Sequence, residues 1–419
     1  MAGSDRVSVN AEVATTRAPR RRNPRIVGFD GIRALAALLV LCYHLIPNWR
    51  GAGFVGVDIF FVLSGFLITS LLMRAVAVDG RIGFKKFWTK RLRRLLPAVV
   101  FATVGAASLA RIVGGDSIVQ LRWQVAGSLT STYNWLQIAN GAPYFQQRSP
   151  LLLSNMWSLA VEMQFYLVWP LILVAIIAFL PARLWPWAAL GIGGVSAFLN
   201  WYYVNVWDDV TRAYVGTDSH SFGLMVGAAV ALWVPKVMVT KLPKRPDAQR
   251  KFWGVAAWVG LAGALMIGTF VPTGPWMYPW GMLAASALAG LTVRALLPDV
   301  LSPASSTLGW ILSTKPFVWF GERSYSIYLW HWPLWVMAFY TLRWSGWATA
   351  ALVFPLTLIF AEVSYRFVET PIRLHGLRAW LLSAGRLPIA GQRTLVAGAV
   401  AAVVLFAFAL LSSPAQSST

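Results

Sequence analysis

The sequence predicts an all-α polytopic integral membrane protein, and three observations carry that prediction. The 419 residues are 58% hydrophobic and only 12% charged, with a mean hydropathy of +0.61. Apolar runs of membrane-crossing length recur along the chain, many more than a soluble domain of this size buries. The formal net charge of +21 falls mostly in short segments between those runs, as the positive-inside rule expects of cytoplasmic loops. Charge so distributed reports topology and contact with anionic lipid, so no nucleic-acid partner is expected.

The elements follow in order. Residues 1–26 are polar and arginine-rich and are expected to form a disordered cytoplasmic N-terminus. The run after them contains Asp30 and Arg33 and lacks a small-residue cleavage site, which argues against a removed signal peptide. Spans are expected near 27–47, 53–73, 95–114, 156–180, 184–205, 217–235, 252–271, 276–295, 318–341, 346–366 and 394–412. The first ten make a core domain over 27–375, followed by a cytoplasmic linker at 376–393, the eleventh span at 394–412 and an extracytoplasmic tail at 413–419. Residues 117–139 carry Gln120, Arg122, Gln124, Ser128, Thr130 and Asn134. Such a segment at membrane depth needs protein or water around it, and a re-entrant or interfacial helix on the outer side is expected. The basic stretches around 17–25, 74–94, 236–251 and 366–393 are then all cytoplasmic.

The first two runs hold ionisable residues where membrane helices carry a cost of at least about 2.5 to 3.5 kcal/mol each. Arg33 and His44 are eleven positions apart, which returns to one helix face roughly 16 Å further along the axis. Asp30 lies one turn before Arg33, close enough to pair with it. Asp58 stands as far beyond the intervening turn as His44 stands before it, so an antiparallel hairpin sets the two at similar depth. Glu162 falls in the outer third of the fourth span, at that same level. A carboxylate that fixes an imidazole tautomer, with the free nitrogen facing a hydroxyl, suits general-base catalysis; a buried ion pair for helix packing is the other reading. At the inner end, Asp30 and Arg33 meet the cluster Lys90, Arg91, Arg93 and Arg94, whose guanidinium forks match phosphate oxygens or lipid headgroups.

Other chemistry is sparse. The four histidines include no pair at helical metal spacing, so no metal is expected. His331, flanked by Trp330 and Trp332, reads as a hydrogen-bonded packing residue beside the substrate, and His375 as a loop residue. Cys42 is the sole cysteine and reads as a small buried side chain.

These residues form an ordered motif set: Phe29-Asp30-Gly31-Ile32-Arg33 with His44, Gly56-Val57-Asp58 through Ile68, Arg91 to Arg94, Trp157-Ser158 through Glu162 to Tyr166, and Ser324-Tyr325 through His331-Trp332-Pro333. The set resembles that of the membrane acyltransferase-3 family, over roughly residues 26 to 375. The resemblance implies a bacterial O-acyltransferase that takes an acyl group, commonly acetyl, from cytoplasmic acyl-coenzyme A. The acceptor is a hydroxyl of an extracytoplasmic envelope glycan or glycolipid, and the enzyme sits as a multi-pass protein in the cell membrane. It implies that His44 is catalytic with Asp58 and Glu162 in support. The donor, acetyl-CoA above all, falls to Asp30, Arg33, Lys90, Arg91 and Arg94, and the remaining substrate contacts to Trp157, Ser158, Tyr166, His220, Tyr325 and His331. Two positions depart from the family pattern: Met163 replaces a frequent second glutamate, and His220 replaces a usual arginine. Many longer relatives continue into an SGNH-type domain, which these 419 residues do not include. A reading of another class is a proton-coupled transporter or flippase of a lipid-linked saccharide, using the same ionisable residues as a relay; the absence of internal symmetry counts against it.

Overall fold

The computed structural model describes residues 26–49, 51–145, 150–239, 243–342, 344–384 and 389–414. The arginine-rich stretch before residue 26 and the tail after 414 lie outside the described residues, so the expectations for them are not addressed by the fold. The described residues form helices and no strand. In chain order these are α1 (Phe29–Leu45), α2 (Gly56–Asp79), α3 (Phe84–Val113), α4 (Leu121–Thr130), α5 (Tyr133–Ala139), α6 (Met156–Phe179), α7 (Trp185–Asn205), α8 (Val210–Val215) and α9 (Phe222–Trp233). The second half holds α10 (Asp247–Phe270), α11 (Trp280–Ala295), α12 (Pro303–Ile311), α13 (Lys315–Leu342), α14 (Gly346–Val363), α15 (Thr370–His375), α16 (Leu377–Ala384) and α17 (Ile389–Leu411).

A helix lies at each of the eleven predicted runs. Six helical segments are long and apolar enough to cross a membrane: 53–79, 84–113, 156–179, 247–270, 346–375 and 391–411. Residues 117–139 do not form one long helix, because the backbone turns left-handed at Gln120 and Ser131. The resulting α4 of ten residues is about 15 Å long, half of a bilayer's hydrocarbon core. The last helix starts at Ile389 rather than 394, so its first turn takes in Gln392 and Arg393, which an apolar-run criterion leaves out.

α2 is the central helix; 83% of its most apolar window is buried. It packs on α9 through glycine: a Cβ on Gly65 would lie 1.9 Å from the Leu224 carbonyl oxygen, and one on Gly227 2.0 Å from that of Val62. α1 runs parallel to α13. Near their starts a Cβ on Gly321 would fall 1.9 Å from the Asp30 carbonyl oxygen, and one on Gly31 2.2 Å from that of Leu312. Further along, His44 meets His331. α17 lies at the periphery against α3, where the Ser108 hydroxyl donates to the Ala402 carbonyl at 2.9 Å, and Arg122 of α4 donates to the carbonyls of Leu410 and Leu411.

Candidate active site

Helix α13 organises the site. Glu322, Tyr325, Tyr328 and His331 follow one another at three-residue spacing, each step turning about 60° back around the axis, so the row winds from the cleft at Glu322 to the His44 contact at His331 over about 14 Å of helix. Two residues past His331, Pro333 cannot donate to the Leu329 carbonyl four residues before it. Asn155, just before α6, fills the gap: its Nδ2 donates to the carbonyls of Tyr328 at 2.7 Å and Leu329 at 3.5 Å. The sequence around His331 thereby frees main-chain acceptors inside the bundle and satisfies them from another helix.

The imidazoles of His331 and His44 are stacked with centroids 5.2 Å apart, and His331 Nε2 lies 3.2 Å from His44 Nδ1. His331 Nδ1 sits 2.7 Å from the Tyr328 carbonyl oxygen. A carbonyl only accepts, so Nδ1 carries the proton and, in the neutral pair, His331 Nε2 is an acceptor. His44 Nδ1 must then donate to it, which leaves the lone pair on His44 Nε2 free. His331 is fully buried, whereas His44 is half-buried.

The expected partnership of Asp58 with His44 is not formed. Asp58 Oδ1 lies 3.1 Å from His220 Nε2, and His220 Nδ1 lies 2.5 Å from the Tyr214 carbonyl oxygen. Counting residues from the turn sets depth but not direction around the helix. α2 faces α9 with Asp58, Val62 and Gly65, which share one face, and the close glycine packing locks that face toward His220. His220 is enclosed by Phe61, Trp157, Tyr214 and Phe222, all with ring centroids within 5.4 Å of its own. Trp157, His220 and Asp58 are each 0% exposed. Trp157 and His220, both expected to contact substrate, sit in this enclosed aromatic box. His331, also assigned to substrate, touches His44 instead.

A cleft with a cavity volume of about 90 Å³ lies between α1, α2, α3, α6, α13 and α15. Arg33, Arg91, Arg94 and Arg373 line it, with Ser158, Glu162, Tyr166, Tyr325 and Tyr328. Glu162 belongs to this cleft and not to the histidine pair: Ser64 and Tyr166 both donate hydrogen bonds to its Oε1. Its placement beside His44 is corrected on the same ground as that of Asp58. Tyr325 donates to the Leu95 carbonyl at 3.1 Å, which fixes the wall nearest Arg94. A π-helical turn at Ser364–Glu369 brings Glu369 to the cleft, where Ser326 donates to it. Asp30 and Lys90 do not line the cleft, and Asp30 makes no ion pair with Arg33 among the described residues. Lys90 is exposed on a neighbouring groove that it shares with Arg74, Lys86 and Arg91.

Arg33, Arg91 and Arg94 make no ion pair to a carboxylate among the described residues, and the buried Nε of Arg91 has no hydrogen-bond partner. The cleft is lined by Glu162, Glu322 and Glu369 as well as by the arginines, and the guanidinium forks not engaged in ion pairs fit phosphate oxygens. No cluster of metal-ligating side chains occurs among the described residues. Sequence reasoning missed Tyr328, Asn155, Glu369 and Arg373. The three-residue stripe on α13 was the available signal for Tyr328; the others come from distant turns and carry none.

Comparison with known proteins bears on this arrangement. The acyltransferase domain family Acyl_transf_3 matches residues 26–366. The chain is 37% identical over 365 residues to YrhL of Bacillus subtilis (strain 168), provisionally named a peptidoglycan O-acetyltransferase, covering 85% of this chain and 56% of that protein. It is 35% identical over 368 residues to the peptidoglycan O-acetyltransferase OatA of Listeria monocytogenes (strain EGD-e), covering 86% of this chain and 57% of OatA. A provisionally named O-acetyltransferase of Staphylococcus aureus (strain COL) is 34% identical over 366 residues, 84% of this chain and 58% of that protein. The chain thus spans a little over half the length of these relatives. No solved structure matches it. With the family match covering residues 26–366, this chain belongs to the acyltransferase-3 family.

Proposed function

We propose that the protein is a membrane O-acyltransferase. It moves an acetyl group from cytoplasmic acetyl-coenzyme A to a hydroxyl of an extracytoplasmic envelope glycan, with peptidoglycan the acceptor that the relatives' names favour. The observation that carries the reading is a division of labour along α1 and α13. Four arginines, of which Arg33, Arg91 and Arg94 make no ion pair among the described residues, gather at one end, and the His44 imidazole stands at the other. The donor's phosphates bind Arg33, Arg91 and Arg94, and Arg373 adds charge at the mouth. His44 Nε2 takes the proton of the acceptor hydroxyl as its oxygen attacks the thioester carbonyl. A C–O bond forms, the C–S bond breaks, and the imidazolium returns the proton to the departing thiolate. His331 holds His44 in the required tautomer and orientation.

The basic loops favour a cytoplasmic N-terminus and a cytoplasmic donor. The test is sidedness. In oriented vesicles, acetyl-coenzyme A added on the face bearing residues 74–94 should release free coenzyme A, and a membrane-impermeant glycan acceptor should be acetylated only from the opposite face. Release from both faces alike, or acceptor acetylation from the donor's face alone, overturns the through-membrane reading. Absence of any thioester cleavage returns the protein to the transporter class.

A further inference from the structure

The cleft that holds the arginines stops short of the histidines: neither His44 nor His331 lines it. What stands between is Tyr328. Its ring lines the cleft and also touches His331, with centroids 5.3 Å apart. The Tyr328 hydroxyl donates to the Asn155 carbonyl at 3.0 Å, which leaves it to accept from the Ser158 hydroxyl at 2.6 Å. Ser158 and Tyr328 are 4% and 6% exposed, so no bulk water loosens this closure. Both ends of the closure are anchored, because Asn155 also holds the Tyr328 carbonyl and that carbonyl accepts from His331.

We propose that the Ser158–Tyr328 contact is an acyl-length gauge, passing an acetyl group toward His44 and rejecting longer chains. The inference rests on the acyl-coenzyme A reading above and adds the residues that set donor specificity. A thioester held at the arginine end reaches the free nitrogen of His44 only by passing the Tyr328 ring. The smallest acyl group needs the least displacement of that ring. A longer one must push apart two walls fixed by main-chain hydrogen bonds, and close-packed interiors resist that. One methylene in a fitted pocket changes discrimination by about 10- to 200-fold.

The experiment compares coenzyme A release from acetyl- and butyryl-coenzyme A in membrane vesicles carrying the full chain and envelope glycan. Wild type should prefer acetyl. Tyr328→Leu removes most of the ring but keeps the main-chain carbonyl that holds His331. It should raise the butyryl-to-acetyl ratio of kcat/KM by about tenfold or more, with the acetyl-coenzyme A KM within about threefold of wild type because the arginines are untouched. Ser158→Gly shortens the facing wall and should shift the ratio the same way, which decides the matter if Tyr328→Leu does not fold. An active wild type whose folded variants keep its donor ratio overturns the gauge alone. A wild type that cleaves no acyl-coenzyme A overturns the gauge together with the proposed function.

Discussion

The bundle contains two histidine couples built on one plan. In each, Nδ1 meets a main-chain carbonyl, of Tyr328 for His331 and of Tyr214 for His220, and Nε2 reaches a side chain on another helix. The couples differ in what lies at the far end. His331 meets a second imidazole, half-buried and with its outer nitrogen open, whereas His220 meets the Asp58 carboxylate inside an aromatic box where both residues are 0% exposed. A hydrogen-bonded chain that ends in an open lone pair can exchange a proton with a substrate. One that ends in a carboxylate enclosed by aromatic rings has no open atom at its end in this arrangement. An ionisable residue at membrane depth is thus informative about chemistry only once the last atom of its chain of partners is known.

The comparison breaks most sharply at His44. His44→Ala should reduce acyl transfer by about 100- to 10,000-fold in protein that still inserts and purifies normally, measured as acetyl incorporation into envelope glycan. Near-normal turnover would remove the imidazole pair from the reaction. Next comes the sealed couple. Removing one partner from a buried pair costs about 3 to 5 kcal/mol, so His220→Ala should lower thermal stability in detergent steeply, while the fraction that remains folded turns over within about threefold of wild type. A stable His220→Ala protein with no activity would reverse the roles assigned to the two couples.

Sharpening is possible at His331. Its loss removes the imidazole partner of His44 Nδ1, worth about 1 to 3 kcal/mol, or roughly five- to 150-fold. His331→Ala should therefore depress kcat by that range and leave the donor KM unchanged. His331→Gln, which offers a side-chain carbonyl in its place, should recover part of the loss; a residue that merely fills space would show no such recovery. The smallest effect is expected at the far end of the cleft. Arg91→Gln with Arg94→Gln should raise the KM for acetyl-coenzyme A several-fold more than that for the acceptor, and equal changes would assign the pair to lipid headgroups.

Much of this was legible in the chain itself. The apolar runs marked where helices form, and eleven-residue spacing correctly set Arg33 and His44 on the face of α1 that meets α13. The gathering of Arg91 and Arg94 with Arg33 was foreseen from charge. Partner identity was not. Helical periodicity fixes which way a side chain points from its own axis, yet His44 and His331 are 287 residues apart and Asp58 and His220 are 162 apart. Which helix stands opposite is decided by packing, here by glycines such as Gly65, Gly227 and Gly321 that let particular backbones come close. Glu162 was set beside His44 by counting depth, whereas its hydrogen bonds from Ser64, six residues beyond Asp58 on α2, and from Tyr166 hold it in the arginine cleft.

The close approach of α13 to α1 at Gly321, whose added Cβ would lie 1.9 Å from the Asp30 carbonyl oxygen, has a mechanical consequence. It acts as a fulcrum, with His331 ten residues, or about 15 Å, out along the arm. A swing of only about four degrees about that point would carry His331 roughly 1 Å sideways, enough to part a contact of 3.2 Å to His44. A Cβ on Gly321 would collide with the Asp30 carbonyl and splay the arms from the fixed end. Gly321→Ala therefore acts as a wedge driven in far from the reacting atoms, with its leverage delivered at the imidazoles.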